Sequence, residues 1–143
     1  MSGLSYKTTA MRRILAVLFL SALAFPAAAD NFTTAGEVRP ILTATRSGWV
    51  SLRESGGQDV LDFQQIAAWR CGLRAVHYRV NSGGEQALAM ESCYEGDPRP
   101  NAIRDTSRWM MGHGGGSVQS VSVRIIYDDG REDSVQLSRA QMQ

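Results

Sequence analysis

Apolar and polar residues alternate most strictly over residues 120–127 and 134–138. Successive side chains of a strand point to opposite faces, so this alternation predicts two strands that each have one apolar face. Asp129 and Gly130 lie between the two runs and adopt positive φ easily. We therefore predict an antiparallel hairpin with one buried face and one solvated face.

The same kind of pattern predicts two further hairpins upstream. Residues 49–53 and 60–63 flank a turn that contains two consecutive glycines. Residues 73–80 and 86–91 flank a second glycine-containing turn. Short apolar runs on both sides of such turns are typical of antiparallel strand pairs.

Two short helices are predicted at residues 37–46 and 63–70. Thr34 and Glu37 fit the capping-box pattern, and apolar residues then recur at helical spacing. Pro40 lacks a backbone donor, so either the first helix begins late, with Pro40 in its first turn, or it is kinked. The second run follows an aspartate that can cap it and ends before a glycine.

These elements together predict an α+β fold. We expect a small single domain with an antiparallel sheet built from three hairpins, two short helices over one face and one disulfide. Residues 94–116 carry no predicted element and read as a long loop, a feature that is often functional or mobile in a compact domain.

Residues 1–29 are predicted to be a cleaved secretory signal peptide that precedes a single exported domain at 30–143. Met11 suits the start of such a signal better than Met1, because two arginines, twelve apolar or small residues and an A-x-A site follow it. Twelve helical residues are too short to cross a bilayer. We therefore expect no membrane span after cleavage, and a periplasmic or secreted location.

Cleavage changes the charge balance of the chain. Without Lys7, Arg12 and Arg13, 12 basic residues remain against 14 acidic ones, a net charge of −2. A nearly balanced domain has no basic patch for a phosphate backbone, so nucleic-acid binding is not expected.

Cys71 and Cys93 are the only cysteines. An even count in an exported chain predicts a disulfide, and closing this loop contributes about 3 kcal/mol in the chain-entropy treatment. In the alternative interpretation, Cys71 is a nucleophile paired with His77. That role needs an exposed thiolate with no partner sulfur, so we favour the disulfide.

No catalytic or metal-binding set emerges from the sequence. His113 opens an H-G-G-G run of the kind that forms oxyanion holes in some lipases and esterases, but no G-x-S-x-G nucleophile turn accompanies it. His77 and His113 lack a third ligand at zinc spacing, and the acidic residues around 128–133 do not fit an EF-hand loop. We predict no metal and no cofactor.

Residues 94–116 supply the candidate binding site. The large apolar residues and the arginines of this segment form a predicted contact patch: Arg99, Arg104, Arg108, Trp109, Met110 and Met111. The methionines and the tryptophan would provide an adaptable apolar surface, and the arginines a rim for carboxylates or phosphates. In the alternative, the segment folds back and packs Ile103 and Trp109 against the sheet.

These observations favour a non-enzymatic binding domain that acts through the 94–116 loop. The expected partner is an envelope protein or a small anionic ligand. Two alternatives stay open at this point: a small hydrolase-type enzyme whose site cannot be recognised in the sequence, and a structural accessory of the cell envelope.

Overall fold

The computed structural model describes Gly3 and residues 31–143, so the predicted signal peptide lies, apart from Gly3, outside the described residues. Two antiparallel sheets form the body of the domain. The first sheet has the strand order β1-β2-β5, with β1 at Ser51–Ser55, β2 at Gln58–Asp62 and β5 at Met110–Gly114.

The second sheet is larger and contributes more buried hydrophobic residues than the first. Its strand order is β4-β3-β6-β7, with β3 at Leu73–Val80, β4 at Gln86–Ala87, β6 at Ser120–Tyr127 and β7 at Glu132–Ser138. All of its strand pairs are antiparallel. The predicted α+β fold, built from hairpins, is therefore confirmed, although the strands divide into two sheets where the sequence suggested one.

In the part of the chain that the structure describes, three helices accompany the sheets: α1 at Ala35–Ala44, α2 at Gln64–Ala67 and α3 at Arg139–Met142. Single 3-10 turns occur at Arg46–Gly48, Arg70–Gly72 and Thr106–Trp109. No helix within residues 31–143 is long and apolar enough to cross a membrane.

The capping box predicted for the first helix is present. The Thr34 amide and hydroxyl both donate to the Glu37 carboxylate, at 2.9 and 2.8 Å. The helix begins at Ala35, earlier than predicted, so Pro40 lies inside it and not in its first turn. Pro40 is exposed there.

The second helix is shorter than predicted because the chain tightens before β3. The 3-10 turn that ends at Gly72 brings the backbone against the start of α1. A Cβ on Gly72 would lie 2.5 Å from Val38 Cγ2 and 2.8 Å from the Thr34 carbonyl oxygen. Only glycine fits this close approach, and the continuous helix expected to residue 70 is replaced by two short turns.

The β6–β7 hairpin has the predicted alternation. Val121 pairs with Leu137 and Val123 with Val135, and these side chains face the core, although Val135 at the edge is only partly buried. Serines and charged residues occupy the opposite, solvated face.

Trp49, Phe63, Trp109 and Tyr127 are fully buried and fill the space between the sheets and α1. The Trp49 indole N–H donates to the Leu42 carbonyl at 2.9 Å, which satisfies its polar atom within the core.

The return strand predicted at 86–91 is largely absent. Only Gln86 and Ala87 pair with β3, and the Leu88 amide then bonds to the Val76 carbonyl at 2.9 Å. Beyond this point the chain leaves the sheet and turns inward, where Glu91 becomes buried.

Residues 94–116 are not one long loop. The Thr106–Trp109 turn leads into β5, which pairs with β2 in the register Leu61 to Met111 and Asp59 to His113. The sequence of β5 contains no β-branched residue and two glycines, so its composition carries none of the usual strand signal.

Candidate functional site

The two cysteines are joined in a disulfide, as predicted, with Cα atoms 4.9 Å apart. The bond connects the 3-10 turn before β3 to the segment that follows β4. Cys71 therefore has no free thiolate in this state, and its alternative role as a nucleophile paired with His77 is not compatible with the structure.

Arg70, the residue before the first cysteine, organises the segment around the bridge. It is 2% exposed, and its guanidinium donates hydrogen bonds of 2.7–3.4 Å to backbone carbonyls only. The acceptors are the carbonyls of Ala67, Glu91, Ser92, Pro100, Asn101 and Ala102. One side chain thus connects α2 to two separate chain segments, residues 91–92 and residues 100–102.

Burial lowers the pKa of the Arg70 guanidinium, and the charge of nearby Glu91 opposes that shift. Arginine stays protonated under all ordinary conditions. Its charge is therefore permanent here, and it is balanced by the carboxylate and by the dipoles of the surrounding carbonyls.

Glu91 is the second buried charge of this region and is 5% exposed. Its carboxylate accepts hydrogen bonds from the Tyr94 hydroxyl, from the Arg104 amide at 2.8 Å and from the Trp109 indole N–H at 3.4 Å. Burial would raise the pKa of Glu91, but these donors outweigh it and hold the pKa below its ordinary value.

Asn101 attaches the loop to the start of the domain. Its side-chain oxygen accepts from the Cys71 amide at 2.9 Å, while its side-chain amide donates to the carbonyls of Asn31 and Phe32. The Arg104 guanidinium lies 3.8 Å from the centre of the Tyr94 ring, a cation–π contact. Residues 91–105, here called the bridge loop, are therefore fixed by side chains in place of regular secondary structure.

A cleft of about 570 Å³ opens between the bridge loop, the disulfide and the start of the domain. Its lining residues are Asn31, Thr33, Cys71, Cys93, Glu95, Gly96, Asp97, Pro98 and Pro100. Both charged lining side chains are carboxylates. Glu95 is exposed, whereas Asp97 forms an ion pair with Arg104. We call this feature the bridge cleft.

The predicted contact patch is not one exposed surface. Trp109 is fully buried, with Ile103 packed against the same core, so the folded-back arrangement is the one present. Met110 and Met111 are half-buried and, as neighbours on β5, point to opposite faces of the first sheet.

The three arginines do not form a free basic rim. Arg104 is paired with Asp97, and Arg108 with Asp105 at 3.1 Å. Arg99 is exposed and has no ion pair among residues 31–143. An anion arriving here would compete with carboxylates that already occupy two of the three guanidinium groups.

The histidines lie in different places. His77 Nδ1 is 3.8 Å from the Glu85 carboxylate on the solvated face of the second sheet, where Arg124 binds the same carboxylate at 2.6 Å. His113 lies on β5, and its Nε2 is buried without a hydrogen-bond partner in the described part of the chain.

Of the three glycines after His113, Gly115 is required by close packing. A Cβ on Gly115 would lie 2.3 Å from the Gly57 carbonyl oxygen, so the loop presses against the β1–β2 turn. The Gly116 amide donates to Asp59 at 3.1 Å, so this donor already has a partner and is not free to stabilise an oxyanion. Within residues 31–143, no three potential metal ligands lie together.

A second buried charge cluster connects this glycine loop to the end of the chain. Asp59 is fully buried and accepts from the Gly116 and Val118 amides and from both terminal nitrogens of Arg139. Hydrogen bonds from Arg139 hold the pKa of Asp59 well below its ordinary range. Arg139 also reaches Glu54 at 2.8 Å.

Sequence reasoning missed the residues that build the bridge loop, above all Arg70, Glu91 and Asn101. Arg70 adjoins a cysteine, but a single arginine before a cysteine is not a recognisable signal. Comparisons with protein-family models, with curated protein sequences and with solved structures found no match to this chain.

Proposed function

We propose that this protein is an exported, non-catalytic binding domain and that the bridge cleft is its ligand-binding site. The main observation in support is the construction of the bridge loop. Arg70, Glu91 and the disulfide hold the cleft walls in place before any ligand arrives, and a preorganised site loses less conformational entropy on binding.

The cleft chemistry favours a cationic group as ligand. Its charged side chains are Glu95 and Asp97, and Glu95 has no basic partner among residues 31–143. Pro98, Pro100 and the disulfide supply apolar walls beside the carboxylates. A basic side chain of an extended peptide from an envelope protein fits this combination better than the anionic ligand expected from the sequence.

A binding role also agrees with the saturation of the buried charges. Glu91 already accepts three hydrogen bonds, and every guanidinium nitrogen of Arg70 donates to a carbonyl. Groups held in this way stabilise the loop and have little freedom to exchange protons with a substrate. Cys71, the nucleophile considered above, is in the disulfide.

Export to the periplasm is part of the same proposal. It rests on the signal-like pattern of residues 1–29 and on the disulfide, because such bonds persist mainly in oxidising compartments. N-terminal sequencing of the protein recovered from a bacterial periplasm is expected to begin at Asp30. Recovery of a chain that retains residues 1–29 would contradict this part.

The ligand class can be tested by two-dimensional ¹⁵N–¹H NMR of the oxidised protein titrated with triarginine amide and, separately, with triglutamate. Triarginine is expected to shift the amide signals of residues 95–97, and triglutamate is not. Glu95→Gln is expected to weaken triarginine binding several-fold. Glu132→Gln removes the same charge from an exposed site outside the cleft and serves as the matched control.

Two results would overturn the proposal. One is an equal response of residues 95–97 to both peptides. The other is triarginine binding that maps to the Glu132 region and is weakened only by the control substitution.

A further inference from the structure

The outer edge of β5 is a second feature of interest and does not depend on the bridge cleft. The Phe63 amide donates to the Trp109 carbonyl at 2.8 Å, just before the first β2–β5 pair. The backbone N–H and C=O groups of successive residues point to alternate sides of an antiparallel strand, so those of Met111 and His113 also point towards β2. Met110, Gly112 and Gly114 consequently direct their backbone groups away from the sheet.

The other outer strands carry features that discourage pairing, and β5 does not. β1 contains Arg53 and Glu54, and β7 contains Glu132 and Asp133. β4 has only two residues. β5 contains no Asp, Glu, Lys, Arg or Pro, and charges, prolines and short length are the usual protections of a sheet edge.

The sequence of β5 is complementary to itself when two copies run antiparallel around Gly112. In that register Gly112 faces Gly112 of the second copy, and Met110 faces Gly114. A long side chain then lies opposite a glycine on both sides of the two-fold axis. Met111 faces His113 on the opposite face, and no like charges oppose each other.

We propose that two copies of this protein associate through β5 in this antiparallel register. The three strands of each first sheet then form one continuous sheet across the two-fold axis. Gly112 exchanges both of its outward hydrogen bonds with its symmetry mate, and the Gly114 amide donates to the Met110 carbonyl of the second copy. The Gly114 carbonyl already accepts from the Ser117 amide of its own chain at 3.0 Å, so it adds no bond across the axis.

The register gives a direct cross-linking test. Directly opposed, hydrogen-bonded residues have Cα atoms about 5.5 Å apart, within the range that a disulfide spans. The Gly112→Cys variant is expected to form a covalent dimer under mild oxidation. Gln136→Cys, which introduces a thiol on the edge strand β7, is the matched control and is expected to remain mainly monomeric.

Light scattering of the unmodified protein over a concentration series supplies an independent readout. We expect a reversible dimer of the unmodified protein. Gly112→Asp should raise the dissociation constant of this dimer at least several-fold, because the substitution places two carboxylates opposite each other at the two-fold axis. Circular dichroism checks that both variants stay folded. Triarginine binding at residues 95–97 should be unchanged in Gly112→Asp, which separates this proposal from the preceding one.

Three results would overturn the β5 dimer. They are a monomer at all concentrations, equal cross-linking of Gly112→Cys and Gln136→Cys, or a dimer that is insensitive to Gly112→Asp. A monomer whose β5 binds an extended segment of another protein would also contradict the proposal, because the partner of β5 would then not be a second copy.

Discussion

Both buried charge clusters connect distant parts of the chain, but in different ways. Arg70 donates to six backbone carbonyls and places its charge among dipoles, with Glu91 nearby. Asp59 forms a direct, two-pronged ion pair with Arg139. The first cluster fixes a loop that has little regular structure, whereas the second secures a helix and a glycine turn onto strands that are already paired. The domain therefore depends on Arg70 for the shape of the bridge cleft and on Asp59 mainly for attachment of its C-terminus.

Arg70→Met is expected to give the largest effect, because it leaves several buried carbonyls without their donor and removes a positive charge that lies near the buried Glu91 carboxylate. Breaking a buried charge arrangement on one side typically costs about 3–5 kcal/mol. Urea unfolding of the oxidised protein measures the loss. Arg70→Lys keeps the charge but supplies at most three donors, so an intermediate loss is expected.

A loss below about 1 kcal/mol for Arg70→Met would fall in the range of an exposed ion pair and contradict the structural role of Arg70.

Removal of the disulfide is expected to have the second largest effect. The double substitution Cys71→Ala and Cys93→Ala releases a loop with a sequence separation of 22. We expect a loss of about 2–4 kcal/mol in the free energy of unfolding. Calorimetry of the oxidised protein, the reduced protein and the double variant measures it, and the last two should agree closely. A variant as stable as the oxidised protein would show that other contacts already order the loop.

The Asp59 cluster should respond to acid. A carboxyl whose pKa is lowered by folding contributes stability above its ordinary pKa, and this contribution is lost as the pH falls. The unmodified protein should therefore have a larger free energy of unfolding than Asp59→Asn near neutral pH, and this difference should shrink progressively as the pH falls below about 4. Denaturant unfolding at a series of pH values gives the difference between the two proteins. A difference that stays constant down to pH 2 would contradict the assigned pKa direction.

The smallest effect is expected for Arg108→Ala. Its ion pair with Asp105 lies at the surface, with side chains that are about half exposed. Such pairs contribute about 0–1 kcal/mol, so unfolding should change little and triarginine binding at the cleft not at all. A loss comparable with that of Arg70→Met would mean that the comparison between buried and exposed charges is mistaken.

The sequence predicted those parts of the molecule in which local pattern and tertiary structure agree. The β6–β7 hairpin alternates strictly, Thr34 and Glu37 cap α1 through contacts that are local in the chain, and two cysteines allow only a single pairing. Each of these features can be recognised from neighbouring residues or from composition alone.

The parts that escaped prediction depend on contacts between distant segments. β5 acquires its strand conformation from β2, about fifty residues upstream in the chain, and not from its own composition. Glu91 interrupts what looked like a strand because Arg70 and Trp109, both remote in sequence, surround it. A patch of charged and apolar residues in a loop does not reveal which of them will be buried or paired.

Amide hydrogen exchange compared between the unmodified protein and Arg70→Met tests most directly whether side chains fix the bridge loop. In the unmodified protein the amides of Cys71, Tyr94 and Arg104 should be protected, because each has an acceptor within the loop region. In Arg70→Met this protection should be lost, while the amides of Gly116 and Val118, held by Asp59, stay protected. Free exchange of the loop amides in the unmodified protein, or identical protection in both proteins, would contradict the account.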